Sequence, residues 1–256
     1  MNGNEPKMHL YVWNERFLYV GPSKATTLHR NHAAVWLNAP EGPMRATLAD
    51  GTILEDSVIY LPSGTEYATA GMDGVIAALF WEPESANFLR IAERFENVPR
   101  AFRCRHTSQE VWAMLLDSAT SLSDAEKLMA TIFGFEVPAE HAASMVDDRI
   151  TTALNFLRES PQDYGSLEAL AEKAHLSPSR FAHLFKAVVG VPVRRYVLWM
   201  KLRRALDRAI DGDSLTTAAL VAGFADSAHL SRTVRSMLGI APEVLFRNRE
   251  RLVIHR

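Results

Sequence analysis

The chain has 256 residues, 48% of them apolar and 23% charged, with a net charge of −2; that mix fits two ordinary globular domains and excludes a largely disordered chain. A single cysteine, Cys104, excludes an internal disulfide and fits a reducing compartment. No apolar run approaches the roughly 20 residues that span a bilayer, and the start of the chain is too polar for a signal peptide, so the expected location is the cytoplasm, with no membrane partner.

From His9 to Trp81 the short apolar runs FLYV, AAVWLN, MRATL, SVIYL and VIAALF alternate with the turn signals PEG, DG and MDG. Residues 1–82 therefore read as a small antiparallel β-barrel or sandwich. Asp50-Gly51 predicts a two-residue hairpin turn, since both residues tolerate positive φ. Beyond Glu84 the period becomes helical. Phe88, Ile91, Ala92 and Phe95 mark one helix, and Val111–Leu116, Leu128–Phe133 and Ile150–Leu157 mark three more. This segment, 83–159, is expected to pack on the barrel or to pair two copies as a homodimer.

Residues 160–256 form the last expected domain. They hold 15 Lys and Arg against 9 Asp and Glu, net +6, which leaves 13 against 21, net −8, for residues 1–159. A basic C-terminal module suits a polyanionic partner.

Within that module the sequence repeats itself. Ser166, Leu167, Leu170, Ala171 and Ala174 return 48 residues later as Ser214, Leu215, Ala218, Ala219 and Ala222, and Leu176 returns as Phe224. After one extra residue, Phe181, Phe185, Lys186 and Gly190 return as Leu230, Val234, Arg235 and Gly239. Each unit predicts a short helix capped by Ser166 or Ser214, a tight corner filled by Leu176 or Phe224, and a second helix capped by Ser177 or Asp226. Pro178 suits a first helical position, and Gly190 and Gly239 suit helix ends. Short helix, turn and second helix is the helix-turn-helix pattern, whose second helix can enter a major groove. Between the units, Val193–Ile210 predicts one long amphipathic helix edged with Arg194, Arg195, Lys201, Arg203, Arg204 and Arg208. Such a rod can set two recognition helices about 34 Å apart, the spacing of successive major grooves.

The stretch from about residue 160 to 247, with Gly223-Phe224, Leu230-Ser231-Arg232, Gly239 and Pro242, resembles the DNA-binding domain of AraC/XylS-family transcription regulators. Leu230 and Val234 stand where the family usually has an aromatic residue. The resemblance implies double-stranded DNA as partner, RNA polymerase as a further one, and activation as the sign of regulation. By position, Ser179, Arg180, Ala182 and His183 are the outward residues of the first recognition helix, with Lys186 near the phosphates; Ser227, Ala228, His229, Ser231 and Arg232 play that part in the second, with Arg235 matching Lys186. Arg232 is the foremost base reader, because a guanidinium bridges O6 and N7 of guanine.

The N-terminal strands are similar to the cupin-type sensor domain of such regulators, and Asp56-Ser-Val-Ile-Tyr-Leu-Pro62-Ser-Gly64-Thr-Glu-Tyr67 follows the second cupin motif with Asp for its first Gly and Tyr67 for its metal-binding His. His29 and His32 alone make too small a ligand set, so neither metal nor other cofactor is expected. A metal-free barrel still offers an interior for an effector, with Trp36, Tyr60 and Tyr67 as candidate lining. The expected fold class is α+β, a cupin-like β-barrel with accessory helices followed by an all-α domain of two helix-turn-helix units. No catalytic arrangement is assignable, so the leading reading is an effector-controlled DNA-binding regulator and not an enzyme. The alternative is a metabolite-binding cupin protein or cupin enzyme with a helical interaction domain. A third reading gives the N-terminal half a purely dimerising part.

Overall fold

The computed structural model describes residues 7–92, 95–104, 108–135, 147–159, 166–243 and 249–256. The chain forms two compact units, Met1–Ala142 with Glu250–Arg256, and Ala143–Arg249. The boundary expected at Ser160 falls outside the described residues.

The first unit contains β1 (Met8–Val12), β2 (Arg16–Pro22), β3 (His29–Arg30), β4 (Ala34–Asn38), β5 (Met44–Leu48), β6 (Ile53–Asp56), β7 (Val58–Leu61), β8 (Glu66–Thr69), β9 (Val75–Trp81), α1 (Ala86–Ala92), β10 (Arg100–Phe102), α2 (Gln109–Leu115), α3 (Leu122–Phe133) and the last strand, β11 (Leu252–His255). Two sheets result, one in the order β10-β7-β4-β9-β2-β1-β11 and one in the order β3-β8-β5-β6. β1 and β11 run parallel, with Met8 opposite Leu252 and Tyr11 opposite His255. The β5–β6 hairpin turns at Asp50 and Gly51 as expected, but Ala49 joins the loop: Leu48 N–H bonds Thr52 C=O at 2.8 Å, and Gly51 takes φ +86°. A three-residue loop ending in a left-handed glycine keeps the strand twist.

The large sheet is buried on both faces, which is why β4 and β7 read as unbroken apolar runs. Val35, Leu37, Ile59, Leu61 and Ala78 face the small sheet's Ala46 and Tyr67. Trp36, Tyr60, Leu79 and Trp81 lie in the other core with Phe88, Ile91, Trp112, Met129 and Phe133 from α1, α2 and α3. Each such apolar side chain contributes about 1.5–3 kcal/mol when fully buried. Asn38 fixes α3 to the sheet by donating to Ile132 C=O at 2.7 Å. Phe95, expected as the last turn of the first helix, lies beyond α1, followed by Glu96 and Asn97 with φ of +52° each.

The second unit contains α4 (Asp148–Glu159), α5 (Leu167–Lys173), α6 (Pro178–Val189), α7 (Val193–Ile210), α8 (Leu215–Val221) and α9 (Ser227–Leu238). The expected division put α4 with the segment ending at residue 159, whereas its buried Ile150, Ala153, Leu154 and Leu157 pack with α5, α6 and α7. No helix among the described residues is long and apolar enough to cross a membrane.

Candidate DNA-binding surface

Each repeat closes on itself through the same local chemistry. The side chains of Ser166, Ser177 and Ser214 accept the backbone N–H groups of Ala169, Arg180 and Thr217, and Asp226 accepts that of His229 at 2.6 Å. These bonds satisfy donors that a helix start leaves free. Gly190 and Gly239 end α6 and α9 in the left-handed region, their N–H groups bonding Lys186 C=O and Arg235 C=O. Phe181, Phe185, Leu230 and Val234 are buried, as are Ala171, Ala174, Ala219 and Ala222, which let the helix pairs approach closely.

What remains outside on α6 and α9 is a matched pair of stripes. Ser179, His183 and Lys186 are exposed at i, i+4 and i+7, and Ala228, Arg232 and Arg235 repeat that spacing 49 residues later. Arg180 is exposed beside the first stripe, and Ala182 is half-buried. Neither helix contains an acidic residue. The other expected residues of α9 face inward in part. His229 packs edge-on against Phe224, ring centroids 5.1 Å apart. Ser231 Oγ donates to Ser227 C=O at 2.8 Å, so its hydroxyl is turned back along the helix. Ser227 is itself half-buried.

The connector α7 spans Val193–Ile210, as the pattern predicted, and buries Tyr196, Trp199, Leu202 and Ala205. Two of its basic side chains hold the second unit, a role their spacing alone did not reveal. Lys201 Nζ donates to Gly223 C=O at 2.9 Å, and Arg208 Nε donates to Asp213 Oδ2 at 2.6 Å. The first bond grips the corner between α8 and α9, and the second grips the turn leading into α8.

A helix-turn-helix domain family matches residues 170–248, which takes in α6 through α9. Residues 170–248 are an AraC-type helix-turn-helix domain. The bifunctional transcriptional activator/DNA repair enzyme Ada of Escherichia coli K12 is 33% identical over 108 residues, 42% of this chain, and the chain spans 30% of that protein's length. The fold is similar to that of ToxT from Vibrio cholerae O395, with a TM-score of 0.60 at 13% identity, covering 91% of this chain and 96% of ToxT. ToxT bound to (E)-4-(8-methylnaphthalen-1-yl)but-3-enoic acid matches at 0.61 and 13% identity, with 92% and 100% covered. The AraC-type domain accordingly follows a β-rich N-terminal unit, as the sequence led one to expect.

Outside the AraC-type domain, the three aromatic residues expected to line an effector site do not converge. Trp36 and Tyr60 stand opposite each other on β4 and β7, beneath the helices, whereas Tyr67 lies between the sheets. The split follows from the two sheets: Val35, Leu37, Ile59 and Leu61 face Tyr67 of the small sheet, so their strand neighbours Trp36 and Tyr60 point the other way. Tyr67 OH accepts from Asn31 Nδ2 at 2.7 Å, and its ring packs on His29 at 4.3 Å. His29 and His32 are also separated in role: His29 Nδ1 bonds Thr27 C=O, while His32 Nε2 meets Glu84 at 3.1 Å, both side chains fully buried.

Proposed function

We propose that the chain is a sequence-specific DNA-binding transcription regulator, not an enzyme, and that a small-molecule effector held by the first unit controls it. The observation that carries this reading is the pair of acid-free stripes, Ser179/His183/Lys186 and Ala228/Arg232/Arg235, each on the second helix of a capped helix-turn-helix unit. A helix presented this way enters the major groove with its outward side chains on base edges and its flanking cations on phosphates. Ada's name supports activation as the sign of regulation. The effector reading draws support from the ligand-bound ToxT structure, which shares the fold. RNA polymerase contact, a homodimer and a cytoplasmic location belong to the same reading.

Binding of the full chain to duplexes selected from a random pool tests it. Affinity is expected to be sequence-dependent and to fall steeply with salt, since each phosphate contact adds about 0.9 to the salt slope. Failure to select any duplex, or affinity flat in salt, would falsify the regulator reading.

A further inference from the structure

The helix-covered face of the large sheet gathers donors that have no acceptor. Trp36 Nε1, Tyr60 OH, Trp81 Nε1 and Trp112 Nε1 are buried in one hydrophobic cluster, and none has a hydrogen-bond partner among the described residues. The Trp36 ring lies 4.6 Å from Tyr60 and 6.3 Å from Trp81. Folded proteins leave few buried donors unmet. This unit satisfies its other buried phenols: Tyr11 OH donates to Leu115 C=O at 2.8 Å, and Tyr67 OH has Asn31. The three indoles and the Tyr60 phenol, by contrast, stand unmet together in one cluster.

A cation stands at the edge of that cluster. Pairing of β10 with β7 sets Arg100 opposite Tyr60, on the same face, where it bonds the exposed Glu96 at 3.2 Å. Burial pushes the Tyr60 hydroxyl up to about 12, and the Arg100 guanidinium is near enough to work against that shift. Phe95 covers the spot, 4.7 Å from Tyr60 and 5.7 Å from Trp36. It is followed by Glu96 and Asn97, both left-handed at φ +52°. Side chains other than glycine rarely adopt that region, and consecutive instances store strain.

We propose that Tyr60, Trp36 and Arg100 bind the carboxylate of a small apolar acid, whose hydrocarbon body takes the place of Phe95 against Trp36 and Trp81. The chemistry of the donors selects this class. A carboxylate is acceptor-only, and phenol, indole and guanidinium all donate to it, the charged donor most strongly. An amine would meet the Arg100 cation and indoles that only donate, with the nearby Glu96 carboxylate already bonded to Arg100. Withdrawal of Phe95 relaxes the strained turn, which couples occupancy to the link between α1 and β10. That this occupancy regulates DNA binding rests on the function proposed above; the binding itself does not.

The test uses the full chain with 4-phenylbutanoate and decanoate, each beside its primary amide, followed by calorimetry and tryptophan fluorescence. Both acids are expected to saturate, and each amide to bind at least about tenfold more weakly, the usual loss when a charged acceptor is removed. Tyr60→Phe and Arg100→Gln each weaken the acids by about tenfold, while Phe95→Ala tightens them. Without ligand, Tyr60→Phe keeps or raises the melting temperature, because it deletes an unmet donor; a structural hydroxyl would do the opposite. Saturation by neither acid, equal binding of acid and amide, or parental affinity in both variants overturns the site. Duplex binding measured on the same samples separates the two readings: its loss with acid binding intact sinks the regulator and leaves the site standing.

Discussion

Among the outward residues, Arg232 and Lys186 allow base reading to be told from phosphate neutralisation. Arg232 lies in the middle of the exposed stripe on α9, and the nearby Asp226 is engaged in capping. Arg232→Ala is expected to cost about 1–3 kcal/mol on the preferred duplex and to relax preference at one or two base pairs. Lys186→Ala is expected to weaken all duplexes alike and to lower the salt slope by about one. A binding profile over a randomised site distinguishes them; an Arg232→Ala profile that matches the parent removes the base-reading role and leaves the fold untouched. A second residue concerns stability. His175 occupies the corner of the first unit with φ +55°, where the second unit has Gly223 at φ +81°. His175→Gly removes that conformational penalty, so it is expected to stabilise the chain by about 0.5–1 kcal/mol, read as a higher denaturant midpoint.

At the level of elements, capping and the Lys201 tie decide how firmly the recognition helices are held. Ser177→Ala removes the acceptor for Arg180 N–H at the start of α6 and is expected to destabilise by about 0.5–2 kcal/mol, and Asp226→Ala does the same for α9. Lys201→Met keeps the apolar stem of that side chain but frees Gly223 C=O, so it is expected to lower specific duplex affinity more than thermal stability. Equal losses in both measurements would make Lys201 a stability residue only. The helices were legible in the sequence because Ser, Pro and Gly mark their ends and a 48-residue repeat checks each assignment against the other. The central strands were legible because a sheet covered on both faces leaves continuous apolar runs. β6, β8 and β10 are three or four residues long with mixed burial, too short for a period to emerge. Trp36, Tyr60 and Tyr67 could be chosen as aromatic residues on strands, but which face each takes depends on register, which one strand cannot supply. The ties made by Lys201 and Arg208 could not be read from the helix pattern, because their partners lie 22 and 5 residues further along the chain.

Over the whole molecule, the feature least visible in the sequence is β11, which follows the DNA-binding unit yet completes the edge of the first unit's large sheet. Its His255 meets His9 at 3.1 Å and stacks on Tyr11 with ring centroids 4.0 Å apart. Burial holds His9, His29 and His255 below the ordinary value of 6.5, the His9–His255 repulsion adding to it for His9. The unfolded chain therefore binds protons more readily than the folded one, so stability is full above 6.5 and is lost as pH falls through that value toward the depressed folded values. The denaturant midpoint is expected to drop between about pH 7.5 and 5.5, and His9→Gln to flatten the drop; an unchanged slope in the variant would locate the sensitivity elsewhere. The register Met8↔Leu252 also has a consequence for biosynthesis. A growing chain releases β1 long before β11, so, until β11 follows, β1 carries an open row of backbone donors and acceptors, the kind of edge that recruits other strands. That edge is covered only once β11 has emerged, after the whole helix-turn-helix unit that precedes it in the chain.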